Sequence, residues 1–80
     1  MKYQVLVRLK PGVLDVQGKA VQRGLGQLGI TEVTDVRIGR LVELEVEADS
    51  DSSALERVEQ VCRELLANPI IERYEVKPID

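Results

Sequence analysis

Tyr3, Val5, Val7 and Leu9 alternate with Gln4, Leu6, Arg8 and Lys10, the two-residue period of a strand with one covered face. Lys10-Pro11-Gly12 ends it, because proline lacks a ladder donor and Pro-Gly favours a turn. Leu6 breaks the pattern as an apolar residue on the polar face, a hint of a second covered surface. Asp15 then stands as a helix N-cap, with Ala20-Val21, Leu25 and Leu28 at helical spacing and Gly29 as a left-handed stop. Gly18, Gly24 and Gly26 each cost up to ~1 kcal/mol in a helix interior relative to alanine. That helix must be held by tertiary packing, and its glycines permit close backbone approach.

Two strands are expected over Val33 to Arg37 and Leu41 to Ala48, joined at Ile38-Gly39-Arg40. In the second, Val42, Leu44, Val46 and Ala48 face one way and Glu43, Glu45 and Glu47 the other, toward water or a basic partner. Asp49 to Ser53 reads as a polar turn, and Ser53-Ala54-Leu55-Glu56 fits a capping box. Leu55, Val58, Val61-Cys62 and Leu65-Leu66 form the stripe of a second helix that Asn68-Pro69 stops. Ile70 to Lys77 supplies a last strand, with Ile70, Tyr74 and Val76 on one side. The order strand, helix, strand, strand, helix, strand is that of a βαββαβ ferredoxin-like α+β sandwich. It sets two helices on one face of a four-stranded antiparallel sheet. That fold by itself decides nothing about function.

Composition narrows the possibilities further. Eighty residues make a single domain over 1–80, with 44% hydrophobic and 31% charged residues, an ordinary globular balance. A chain this short buries only about 60% of the surface its unfolded form exposes. The lone Cys62 cannot form an intrachain disulfide, and with no histidine the usual zinc and haem sites are excluded. Extra stability is therefore expected from a partner chain. The net charge of −3 disfavours a general nucleic-acid binder. Residues 1–40 carry seven basic and three acidic groups, whereas residues 41–80 carry four basic and eleven acidic ones. Such asymmetry suits electrostatic docking, unless folding interleaves the halves. Without a run of eighteen apolar residues or a signal-peptide core, the expectation is a cytoplasmic protein that does not enter a membrane.

Candidate chemistry is sparse. Gly24-Leu25-Gly26-Gln27-Leu28-Gly29 matches a dinucleotide fingerprint in letters, but it ends a helical pattern where the motif must open one. Acid-base chemistry would need a carboxylate or lysine with a shifted pKa, and cap, turn and solvated-face roles already account for the carboxylates. Cys62 has no histidine to activate it and reads as a small core residue. Arg37 and Arg40, with Lys10 and Arg8, could form a basic patch. An RNA-reading sheet, however, needs exposed aromatics, and Tyr3 and Tyr74 both fall on core faces. A regulatory amino-acid-binding module of the ACT type shares the topology and is the alternative left open by these residues.

Val7-x-Leu9-Lys10 followed by Val13-Leu14-Asp15-x-Gln17-Gly18-x-Ala20-Val21 resembles the opening signature of the PurS family, the small subunit of phosphoribosylformylglycinamidine synthase. Asp35-Val36-Arg37-Ile38-Gly39-Arg40 with Glu43 resembles that family's central hairpin. Leu65-Leu66-Ala67-Asn68-Pro69-Ile70-Ile71-Glu72-x-Tyr74 resembles its closing segment. The blocks follow the family's order and cover nearly the whole chain. Val16 stands where the family often has proline, and valine is compatible with a helix start.

The resemblance implies a non-catalytic but required subunit, paired as a homodimer or a tetramer. It would assemble with a large ATP-dependent synthetase and a glutaminase. The complex would convert formylglycinamide ribonucleotide, glutamine and ATP to formylglycinamidine ribonucleotide, glutamate, ADP and phosphate. The small pair would help the other subunits assemble and pass ammonia between their sites. This chain would hold no cofactor, ATP and magnesium belonging to the large subunit. Polar residues concentrated at the motif positions make Asp15, Gln17, Gly18, Arg37, Gly39 and Arg40 the candidates for partner contact. Gln17 and Arg37 are the sharper of these, and Asp15 and Gly39 also fit purely structural roles.

Overall fold

The computed structural model describes residues 1–79. Three strands, β1 (Lys2–Leu9), β2 (Arg40–Glu45) and β3 (Glu72–Ile79), form an antiparallel sheet in the order β2-β1-β3. Two helices, α1 (Val16–Gln27) and α2 (Asp51–Val61), interrupt them in sequence, and α2 continues into a π-helical turn at Cys62–Leu66. The odd residues of β1 face α2. Tyr3, Val5 and Val7 pack with Ala54, Val58, Cys62 and Ala67 into the buried core, flanked by Val42, Leu44, Tyr74 and Val76. The spacing of Ala54, Val58 and Cys62 is four residues, so one side of α2 lies on the sheet.

Val33–Arg37 does not join the sheet, which has three strands where four are expected. This segment is tied instead to α1 and to the loop before it. Ile38 donates its amide to Asp15 Oδ2, Arg37 reaches the carbonyls of Val13 and Lys10, and Gln22 donates to the Thr34 carbonyl. Three local boundaries also differ from expectation, the first being β2, which spans Arg40–Glu45 instead of running from Leu41 to Ala48. Ser50, not Ser53, caps α2, its hydroxyl accepting the Ser53 amide at 3.2 Å, so the helix takes in Asp51 near its positive end. Its stripe is narrower than the sequence spacing suggests, with Leu55 and Leu65 exposed. β3 begins at Glu72 rather than Ile70, because Asn68 folds the preceding residues into a turn that accepts the amides of Ile70, Ile71 and Glu72.

α1 begins and ends as its residues predict. Asp15 accepts the Gly18 amide at the start. At the end Gly29 adopts a positive φ of 77°, and the Ile30 amide closes on the Leu25 carbonyl. No side chain of α1 belongs to the core among the described residues, and Val21 and Leu28 are exposed. The molecule is accordingly long and thin, 53 × 28 × 14 Å, with a radius of gyration of 16.2 Å. A compact chain of this length would have about 12 Å.

Candidate functional site

The six candidate residues fall in one corner, where the loop 10–15 and the start of α1 meet segment 36–40. Asp15 is its centre. It is buried, and its two oxygens accept the Gly18 amide at 2.8 Å and the Ile38 amide at 2.6 Å. These backbone donors, Gly18 first and Ile38 next, hold its carboxyl below the ordinary 3.8. One carboxylate thus caps a helix and fastens a segment 23 residues away.

Both glycines of the corner are required by approach distance. A Cβ on Gly18 would lie 2.4 Å from the Val36 carbonyl oxygen. One on Gly39 would lie 2.5 Å from the Val7 carbonyl oxygen. Arg37 donates to the carbonyls of Val13 and Lys10 at 3.0 and 3.3 Å, which ties its guanidinium to the loop. Arg40 forms a two-pronged pair with Glu72, at 2.7 and 3.1 Å, and also donates to the Leu66 carbonyl. The Arg40 guanidinium first, and the Asn68 amide after it, hold the Glu72 carboxyl below its ordinary value.

Asp15, Gln17, Gly39 and Arg40 line one cavity of about 370 Å³ together with Glu72. Gln17 is exposed, and its side chain makes no hydrogen bond among the described residues. The other polar side chains of the set hold this chain's own segments together. Lys10, which the sequence offered only as part of a basic patch, has a larger structural share. Its amide donates to the Ile71 carbonyl and its ammonium to the Pro69 carbonyl, so the same loop is fastened to the start of β3.

Cys62 and Tyr74 have structural roles. Cys62 is fully buried, and burial pushes its thiol up, away from the reactive thiolate. Tyr74 donates to Glu59 Oε2 at 2.6 Å, and that bond to a carboxylate, with burial, raises the phenol. The glycine-rich run lies at the carboxyl end of α1, where carbonyls rather than free amides face outward. Among the described residues no group of three His, Cys, Asp or Glu is placed to hold a metal, and no helix is long and apolar enough to cross a membrane. The charge halves interleave. Lys2 stands opposite Glu45 across the β1–β2 ladder, and Arg40 pairs with Glu72.

Comparison with known proteins places this arrangement in a lineage. Residues 2–80 match the family model described as PurS, phosphoribosylformylglycinamidine (FGAM) synthase. The subunit PurS of that synthase from Bacillus subtilis is 48% identical over 81 residues, covering 98% of this chain and 94% of that protein. Its counterpart from Methanocaldococcus jannaschii is 38% identical over 76 residues, 95% of this chain and 92% of that one. The crystal structure of the M. jannaschii protein, described as one subunit of formylglycinamide ribonucleotide amidotransferase, superposes with a TM-score of 0.84 and covers 99% of this chain and 98% of that one. A chain from the PurLQS structure of Thermotoga maritima superposes at 0.88 with 36% identity, covering 98% and 95%.

Proposed function

The chain belongs to the PurS family and is a subunit of phosphoribosylformylglycinamidine synthase, and from that premise we propose that it acts as a paired assembly subunit with no catalytic group of its own. The family match decides between the two roles its residues left open, in favour of the synthase subunit over an ACT-type module. In this reading one domain over 1–80, working in the cytoplasm, pairs with a second copy. The pair seats a large synthetase, which holds ATP and magnesium, beside a glutaminase so that ammonia passes between them. The observation that carries it is the match over nearly the full chain, extended by a close superposition on a chain of a PurLQS structure.

The shape of the chain supports pairing. It exposes 5984 Å², against about 4,800 Å² for a compact monomer of its size. The excess, roughly 1,200 Å², exceeds the ~800 Å² that each partner buries in a standard interface. The apolar edge of α1, with Val21 and Leu28 exposed, is uncovered. Val42 and Leu44 of β2, and Val46 just after it, are only partly buried. A second copy can cover both. Gln17, whose amide is uncommitted, is the member of the corner set whose side chain is open to another subunit.

Reconstitution tests the reading. Purified synthetase and glutaminase from the same source should form product from glutamine only when this chain is added. Full glutamine-dependent activity in its absence would overturn the assignment.

A further inference from the structure

The side of the sheet turned away from α2 carries the even residues of β1, and most of its charges are balanced by neighbours on that side. Lys2 has Glu45 opposite it, and Lys77 has Glu75 beside it. Arg8 and Arg73 lack such a partner, although Glu75, whose carboxylate lies toward Lys77, stands two residues from Arg73 on the same side of β3 and diagonal to Arg8. Arg8 stands directly opposite Arg73 across the β1–β3 ladder, and both are exposed. Like charges directly opposite each other destabilise a strand pair. Neither guanidinium makes an ion pair or a side-chain hydrogen bond among the described residues. In the next row Leu6 is opposite Leu41, and Leu41 is 51% exposed on this outer side. A basic pair with no ion-pair partner among the described residues thus adjoins a partly exposed apolar pair.

These four residues line an open cleft of about 680 Å³ that Pro11 and Gly12 also border. Arg37 and Arg40 border it, but the loop carbonyls and Glu72 already hold their guanidinium groups in place. Asp35, the one carboxylate on the rim, pairs with none of the arginines among the described residues.

We propose that Arg8 and Arg73, with Leu6 and Leu41, form a docking surface for a carboxylate-bearing, aliphatic segment of another subunit of the synthase. The proposal rests on the assembly role given above and names the surface and the chemistry that role requires. Two guanidinium forks with β-carbons about 5 Å apart can each bind a carboxylate through two hydrogen bonds. A carboxylate between them also removes the repulsion that the free chain carries. The leucine pair needs an aliphatic side chain beside that acid, which a protein segment supplies and a small free anion does not. The open trough suits an extended segment.

Single charge reversals separate docking from folding, because they push the two in opposite directions. Arg8→Glu or Arg73→Glu replaces a like-charged cross-strand pair with an opposite one, so the urea midpoint of the chain should hold or rise. Its affinity for the purified synthetase and glutaminase, read by titration calorimetry or sedimentation, should fall at least about tenfold. Lys77→Glu, an equal change of charge at the other end of the same face, should leave affinity within about twofold. Light scattering should show the pairing of the chain with itself unchanged. Wild-type affinity in both reversals would overturn the proposal. So would an equal loss in Lys77→Glu, which would mean that only net charge matters, or a loss of self-pairing, which would put a second copy on this face. Failure of the wild-type chain to join the complex would instead overturn the assembly reading itself.

Discussion

α1 and α2 are capped helices of 12 and 11 residues with apolar stripes of similar quality, yet they are held by different forces. α2 buries Ala54, Val58 and Cys62 against the sheet, whereas the one buried residue of α1 is Gly18. The first helix is fastened at one end by a polar clasp, through Asp15, and its apolar edge is left in the open. Burial of apolar area is broad and tolerant of small shifts, while a clasp is short-ranged and depends on a few donors. The α2 half is thus held by apolar burial, and the α1 half is an arm whose position is set by hydrogen bonds and whose apolar edge is exposed.

Removing material from the core should have the largest effect. Val5→Ala or Val58→Ala deletes two fully buried methyl groups and leaves a cavity, which should lower stability by about 2–3 kcal/mol in urea unfolding at fixed concentration. Gly18→Ala places a methyl against the Val36 carbonyl oxygen and should cost about 1–3 kcal/mol. Its mark is local, with early hydrogen exchange at the Ile38 amide while the amides of β1 stay protected. If β1 loses protection to the same degree, the arm and the core are one cooperative unit and the contrast fails. Leu28→Ser should behave differently from both. It should leave the stability of the diluted chain within about 0.5 kcal/mol, because Leu28 is exposed there. Sedimentation should show self-association weakened by about tenfold, equivalent to about 1.4 kcal/mol.

Smaller effects probe the clasps themselves. Arg40→Ala should cost about 0.5–1 kcal/mol, discounted because the Arg40 side chain is 49% exposed in its pair with Glu72. Asp15 and Glu72 have carboxyls lowered in the folded chain, so the unfolded chain binds more protons in acid. Their stabilisation is complete above the ordinary values of 3.8 and 4.5 and is lost as pH falls through the lowered ones. Wild type should therefore lose stability more steeply below about pH 4 than Asp15→Asn, measured as the urea midpoint against pH. Parallel slopes would remove Asp15 from the clasp.

Where local pattern and tertiary demand agree, the sequence is a good guide. Alternation defines β1 and β2, Asp15 and Gly29 bound α1, and Cys62 is read correctly as core. The failures share a cause. Val33–Arg37 has a strand-like composition, but Asp15 and Arg37 tie it to partners 23 to 27 residues away. Ser50 and Ser53 are both competent caps, and only the helix start chooses between them. At the corner, the residue types are legible and their use is not. Arg40 looks available for a partner until Glu72, 32 residues later, is found holding it. Arg73 drew no attention for the complementary reason, since only strand register shows that it faces Arg8 across 65 positions of chain.

The bond from the Tyr74 hydroxyl to Glu59 has an optical consequence. The chain has no tryptophan, so its near-ultraviolet absorption and emission come from Tyr3 and Tyr74 alone. A phenol that donates to a carboxylate absorbs at longer wavelength and emits weakly, because the excited hydroxyl surrenders its proton to the acceptor. Tyr74 should therefore be dim while its hydroxyl rests on Glu59 of α2 and brighten when α2 and β3 separate, a fluorescent reporter of that contact without any added label.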